Sequence, residues 1–254
     1  LALVVGLMRV LVGVLRAGWV ANLMSQPVLT GFTTAAALLI IATQLPTALG
    51  VAYEMEGVIA PVLRAIVHPG SWTLSAIALS GGTILLVSAG QRLHPLFPGV
   101  FIAVGAGIAY SLLGFYDGPV VGDISAGMPP LSLDLPWDKL PNLLIPGFVI
   151  ALVGFAEPAA IARTMAAKYR QPWSANREFI SQGVANLAAG VSGGFPVGGS
   201  FSRTVVNYAA GGRTRWSGAI TGLTVLAFLP MAFILAPLPK AVLAAVVISA
   251  VLSL

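Results

Sequence analysis

The chain is built around a succession of apolar runs of about 20 residues, the length a helix needs to cross a hydrocarbon core of about 30 Å. Candidates lie near 1–20, 28–48, 73–90, 96–116, 142–166, 178–192, 216–236 and 240–254. No water is at hand inside a bilayer to satisfy backbone N–H and C=O groups, so a spanning segment must be a helix or part of a closed barrel. A barrel is excluded because the runs do not alternate polar and apolar residues along strands of about 10. The expected fold class is an all-α polytopic membrane protein.

Composition points the same way. Only 8% of the 254 residues are charged and 57% are hydrophobic, whereas a soluble domain of this size carries about 25% charged residues. Mean hydropathy is +0.95. With no cysteine, disulfides and thiolate metal sites are excluded. The net charge of +5 would fit a nucleic-acid partner in a soluble chain. In a membrane protein the excess of Lys and Arg marks cytoplasmic loops, so the expected partner is the lipid bilayer and no nucleic acid is expected. The sequence opens and closes inside apolar runs, without an initiator Met or a signal-peptide pattern, and reads as an internal part of a longer protein.

Sidedness follows from the loops. One set holds Arg16, Arg92, Lys168, Arg170, Arg177, Arg213 and Arg215. The other holds Glu54, Glu56, Arg64, Asp117, Asp123, Asp134, Asp138, Lys139 and Lys240. Lys and Arg resist translocation, which places the basic loops near 92, 168–177 and 213–215 in the cytoplasm of a cell whose inner or plasma membrane the chain spans. The alternation holds only if 193–212 shares one crossing with the helix 178–192. That segment carries Gly193, Gly194, Pro196, Gly198, Gly199, Gly211 and Gly212, which leaves about ten helix-competent residues, too few to cross. A discontinuous element is expected there.

A helix that begins inside the membrane leaves its first N–H groups unpaired, with about half a positive charge at its tip. Ser200 is the expected N-cap, and the glycines before it permit close approach of backbone and ligand. The candidate anion-binding residues are Ser200, Phe201, Ser202, Arg203 and Thr204. Arg203 adds a full charge one turn in, and Ser202 and Thr204 add hydroxyls. The competing reading is an interfacial loop whose Arg203 snorkels to headgroups. Broken helices aimed at an anion are a recurrent device of transporters.

The second candidate is Glu157, in Gly154-Phe155-Ala156-Glu157-Pro158. Pro158 cannot donate to the Gly154 carbonyl, which leaves an acceptor beside a membrane-embedded carboxylate. Such a pair can take a proton or a sodium ion; the alternative is that Glu157 neutralises Arg203 as a structural ion pair. His68 and His94 sit beside prolines at helix ends without the i, i+4 partner a metal would want, and no metal or cofactor is expected. Gly118/Gly122, Gly190/Gly194 and Gly218/Gly222 have the GxxxG spacing of close helix packing. Trp19, Trp72, Trp137, Trp173 and Trp216 fall near the ends of the runs, as an aromatic belt would. Arg9 is a charge inside the first run with no evident partner.

The stretch Leu15-Arg-Ala-Gly-Trp-Val-Ala-Asn-Leu-Met-Ser-Gln-Pro-Val-Leu-Thr-Gly-Phe32 resembles the SulP family of sulfate permeases and related anion transporters, as do Gly194-Phe-Pro-Val-Gly-Gly-Ser-Phe-Ser-Arg-Thr204 and Leu238-Pro-Lys-Ala-Val-Leu-Ala244. The resemblance runs along nearly the whole chain, and the Ser-Phe-Ser-Arg-Thr motif is its most specific part. It implies a seven-plus-seven inverted-repeat domain divided into a core and a gate, with the anion held between the N-termini of the third and tenth helices. By motif, Ser202 and Arg203 belong to the tenth helix, Glu157 to the eighth and the first run to the fourth. Residues 1–254 would then be helices four to twelve, with the first three helices, the last two and the cytoplasmic STAS domain outside them, and the intact protein a homodimer. The implied function is not enzymatic. It is secondary transport of a small inorganic oxyanion of the sulfate or bicarbonate class, coupled to protons or sodium through Glu157. The alternatives on the same fold are an uncoupled anion channel and a nucleobase-type permease; the cationic Arg203 argues against the second. The spacings GxSxG and HExxH of intramembrane hydrolases are absent.

Overall fold

The computed structural model describes residues 1–22, 26–51, 57–94, 96–124, 127–129, 131 and 137–252, without the side chains of 22, 26, 29, 201, 202 and 205. The loop acids Glu54, Glu56 and Asp134 lie outside the described residues. Among the described residues ten α-helices follow one another: α1 Ala2–Val14, α2 Gln26–Ala48, α3 Ile59–Val67, α4 Leu74–Leu93, α5 Gly99–Leu112, α6 Leu140–Tyr169, α7 Ala175–Val191, α8 Phe201–Ala209, α9 Trp216–Phe228 and α10 Lys240–Leu252. Four stretches of the described residues are long and apolar enough to cross a membrane, Thr30–Ala48, Leu74–Leu93, Trp137–Tyr169 and Trp216–Leu235. The apolar helices α1, α5 and α10 are shorter, at 13, 14 and 13 residues. The chain is an integral, multi-pass helical membrane protein, as its runs predict.

Helix ends explain where the runs break. The first run, expected as one helix over 1–20, stops at Val14. Arg16 takes a left-handed backbone, φ 57°, so that its N–H donates to Gly13 O and that of Ala17 to Val12 O, the paired closure that normally selects glycine. A 3-10 turn over Gly18–Asn22 follows. Arg170, φ 53°, ends α6 in the same way. Gly193 closes α7 and Gly211 closes α8 with the expected residue type. The helix α3 stands in what the hydropathy pattern leaves as a loop.

The chain divides into two compact units, Leu1–Phe32 with Pro129–Thr204, and Thr33–Met128 with Val205–Leu254. In the first, α1 runs antiparallel to α7 at very short range. A β-carbon on Gly6 would stand 2.8 Å from the Gly183 carbonyl oxygen, one on Gly13 2.7 Å from the Asn176 carbonyl oxygen, and one on Gly190 2.5 Å from Leu3 Cγ. These glycines are spaced by seven along each helix, one full heptad, so they line a single seam. Of the GxxxG pairs only Gly190 packs against another helix; around Gly218 and Gly222 a β-carbon would meet nothing within 4 Å. The helix α6 packs along α1, with Val4 against Gly147, and reaches α7 through the stacked rings of Phe155 and Phe179, 3.5 Å between centroids.

In the second unit α4 packs against α10 and α5. The buried Ser80 hydroxyl donates to Ala48 O at 2.8 Å, tying α4 to the end of α2. Residues 119–122 lie antiparallel to 236–240, with Val121 N–H donating to Leu238 O at 2.9 Å and Lys240 N–H to Pro119 O at 2.9 Å. The faces of α9 carry exposed Ile220, Leu223 and Val225, as a lipid-facing helix does.

Candidate functional site

The predicted discontinuity is present in the first unit. Residues 194–200 have no regular secondary structure and α8 begins at Phe201. Nine residues give α8 a length of about 14 Å, less than half a hydrocarbon core. Ser200 occupies the cap position: its carbonyl accepts the first helical hydrogen bond, from Thr204 N–H at 3.1 Å. The Thr204 hydroxyl donates to the same oxygen at 2.8 Å. Both donors of Thr204 are therefore turned back on Ser200, and the N–H groups of 201–203 precede the first hydrogen bond of the helix ladder. Arg203 is exposed on this first turn. The side chains of Phe201 and Ser202 lie outside the described residues.

The approach to α8 is fastened at Val197. Val197 N–H donates to Asn186 Oδ1 at 2.9 Å, and Asn186 Nδ2 donates back to the Val197 carbonyl at 2.9 Å. The same amide reaches the Gln182 carbonyl at 2.7 Å, one turn earlier in α7. Arg9 completes the arrangement. Its Nη1 donates to the Val197 carbonyl at 3.1 Å and its Nε to the Ala151 carbonyl at 3.1 Å. Arg9 is 2% exposed and Asn186 0%. The charge inside the first apolar run thus lies where α1, α6 and the extended segment meet, with a carbonyl from each of the last two. Such partners are what a membrane-embedded cation requires.

Past Val197 the segment crosses the proline of α6. A β-carbon on Gly198 would stand 3.6 Å from the Gly154 carbonyl, the one Pro158 leaves without a helical donor, and one on Gly199 would stand 3.1 Å from Pro158 Cβ. Glu157, half buried, immediately precedes that proline. The structure therefore brings the Glu157-Pro158 pair of α6 against the residues that lead into Ser200 and Arg203, more than 40 positions on in sequence. At the far end of α6 the Arg163 guanidinium lies 4.7 Å above the Trp173 ring, so this tryptophan packs inside the unit with Phe155 and Phe179 and does not stand apart as a belt residue.

Sequence reasoning named Ser200, Arg203 and Glu157 as candidates and did not name Asn186. The available signal was that α7 is the least apolar of the long helices, with Gln182 and Asn186 one turn apart. Two amides in one stripe of a membrane helix call for a buried polar partner.

A short helix with an extended glycine-rich approach and an arginine on its first turn, among long apolar helices, is an arrangement that transporters with discontinuous helices share. Residues 1–254 match the sulfate permease family. A probable sulfate transporter of Mycobacterium tuberculosis (strain CDC 1551 / Oshkosh) is 36% identical over 100% of this chain and 46% of its own length. The chloroplastic sulfate transporter 4.1 of Arabidopsis thaliana is 32% identical over 99% of this chain and 38% of its own. The solved transmembrane domain of a cyanobacterium bicarbonate transporter, BicA, superposes with a TM-score of 0.85 at 27% identity, covering 99% of this chain and 66% of that one. The chain belongs to the sulfate permease family, a family of transport proteins and not of enzymes. It spans less than half the length of these curated relatives.

Proposed function

We propose that this chain is the anion-site-bearing part of a secondary transporter for a small inorganic oxyanion of the sulfate or bicarbonate class. The observation that carries the reading is the tip of α8: a helix of nine residues whose first N–H groups have no intrahelical partner and whose first turn presents an exposed Arg203. Backbone donors and a guanidinium converging on one point are the chemistry of oxyanion recognition. The N–H groups of 201–203 direct the anion, Arg203 supplies charge, Ser200 caps the helix and Ser202 adds a hydroxyl to the same turn. Glu157, beside the carbonyl freed by Pro158, takes the coupling proton or sodium ion.

The division into two units supports a core that carries the anion past a gate. Residues 1–254 then correspond to helices four to twelve of a seven-plus-seven domain. The opposing half-helix, the final helices and the cytoplasmic domain through which the intact protein dimerises lie outside them. The basic loops near 92, 168–177 and 213–215 lie in the cytoplasm.

The test is uptake by the full-length protein in proteoliposomes, with labelled sulfate and labelled bicarbonate in competition, with and without sodium and proton gradients. Saturable uptake of one of these anions is expected, abolished by Arg203→Ala at normal expression. Normal saturable uptake by Arg203→Ala would remove the site from α8.

A further inference from the structure

We propose that Arg9 is a positioning residue for the anion site: with Asn186 it clamps the Val197 peptide and so fixes where the tip of α8 lies. This inference rests on the reading of α8 as the anion site and goes beyond it, because Arg9 stands on another helix and does not reach the anion itself.

The argument starts from cost. A guanidinium buried to 2% exposure in a membrane helix is costly to insert, and the packing of α1 on α7 is already supplied by glycines. A charge in this place needs something only a guanidinium can do. It spans two elements: Nε holds the Ala151 carbonyl of α6 and Nη1 holds the Val197 carbonyl, a forked reach that a lysine, with a single point of donation, cannot reproduce. Asn186 grips the same residue from α7 on both its N–H and its carbonyl. The Val197 peptide is thereby tied to two helices, and its carbonyl accepts from both.

Two residues separate Val197 from Ser200, and both are glycines. Gly198 and Gly199 lie against Gly154 and Pro158 without side chains of their own to fix their path. Left alone, so permissive a linker would let the tip of α8 wander. Hydrogen bonds to an anion weaken steeply with distance and angle, and a displacement of about 1 Å in a positioning group costs up to about a hundredfold in a bound complex. Clamping the last residue before the glycines leaves a short tether, and the tip is held by its anchor.

The experiment uses the full-length protein in proteoliposomes, with KM and maximal rate measured for labelled sulfate and labelled bicarbonate, and the melting midpoint measured in detergent with and without the transported anion. Arg9→Lys keeps the charge and loses the fork. The expected result is a KM raised about tenfold, the scale of one lost charge-assisted hydrogen bond, with a maximal rate near wild type and a smaller upward shift of the melting midpoint on adding anion. Asn186→Ser loosens the same peptide from the other side and is expected to show the same KM signature; it decides the matter if Arg9→Lys does not fold. A wild-type KM in the folded variants, or a fall in maximal rate with KM unchanged, overturns the proposal. Arg203→Ala separates the two readings. If it abolishes saturable uptake while Arg9→Lys keeps a wild-type KM, only the clamp fails; if it transports normally, the site on α8 fails and the clamp with it.

Discussion

Val197 and Asn186 hold each other through both backbone groups of one residue, the Val197 N–H donating to Asn186 Oδ1 and Asn186 Nδ2 donating to the Val197 carbonyl, each at 2.9 Å. An extended stretch at membrane depth is tolerated only where protein groups or water take its backbone donors and acceptors. Here one buried amide does so for the residue that matters most, the last before the glycines that lead to α8. Together with the Arg9 guanidinium it turns what composition alone would allow as a surface loop into a fixed part of a helical unit.

Replacing Asn186 with the similarly sized Leu removes that partner without opening a cavity. The Val197 N–H is left partly buried and without its partner, and the carbonyl keeps only Arg9. A loss of about 2–4 kcal/mol of stability is expected from two hydrogen bonds and one orphaned donor, read as a lowered melting midpoint of the detergent-solubilised protein. An unchanged midpoint would show that the pair contributes nothing to the fold.

The seam between α1 and α7 makes a contrast that the GxxxG spacing would not. A β-carbon on Gly183 would meet Val10 Cγ2 at 2.6 Å and the Gly6 carbonyl oxygen at 2.8 Å, whereas one on Gly218 meets nothing within 4 Å. Since backbone on one side cannot retreat without parting the helices, Gly183→Ala should cost about 1–3 kcal/mol, as overpacking does, and shift the protein from a monodisperse peak to aggregate on size exclusion. Gly218→Ala should run like wild type. Equal behaviour of the two variants would contradict the seam.

How far the sequence could be read follows from the range of each interaction. The helical class, the discontinuity at 193–212 and the capping place of Ser200 are local, set by apolar run length and by Gly and Pro, and they were legible. The break after Val14 was hidden because Arg16, not glycine, takes the left-handed turn. The packing glycines were hidden because Gly6 and Gly13, Gly183 and Gly190 repeat by seven and the shorter spacing drew attention elsewhere. Arg9 was visible as an anomaly, a charge in an apolar run, but its two acceptors lie 142 and 188 positions away. No periodicity reports on contacts of that separation.

The glycines over Pro158 differ in what they will accept. A β-carbon on Gly198 would make an ordinary contact of 3.6 Å with the Gly154 carbonyl, while on Gly199 it would press on Pro158 Cβ at 3.1 Å, Cα at 3.3 Å and Cγ at 3.3 Å. A rigid proline inside a helix has little room to give. Gly198→Ala should therefore retain most anion uptake, and Gly199→Val, with its branched side chain, should lose about tenfold or more as the tip of α8 is levered away. Uptake by Gly199→Val equal to that of Gly198→Ala would mean that the crossing over Pro158 does not set the site.

In the proposed reading Glu157 joins the site to energy coupling. It stands one residue before Pro158, whose ring lies against Gly199, and beside the carbonyl of Gly154 that the proline frees. A carboxylate with a free carbonyl at hand offers a sodium ion two oxygen ligands, or a proton one basic site, within reach of the segment that carries the anion. Glu157→Gln keeps the size and hydrogen-bonding capacity but cannot take up the proton or the full charge of the cation. In proteoliposomes the variant should still bind and move anion down its own gradient, while the stimulation of uptake by an imposed sodium or proton gradient falls to near the ungated rate. The measurement is the ratio of uptake with and without each gradient at fixed anion concentration. A ratio equal to wild type for both ions would leave Glu157 a structural partner in α6 and place coupling elsewhere in the protein.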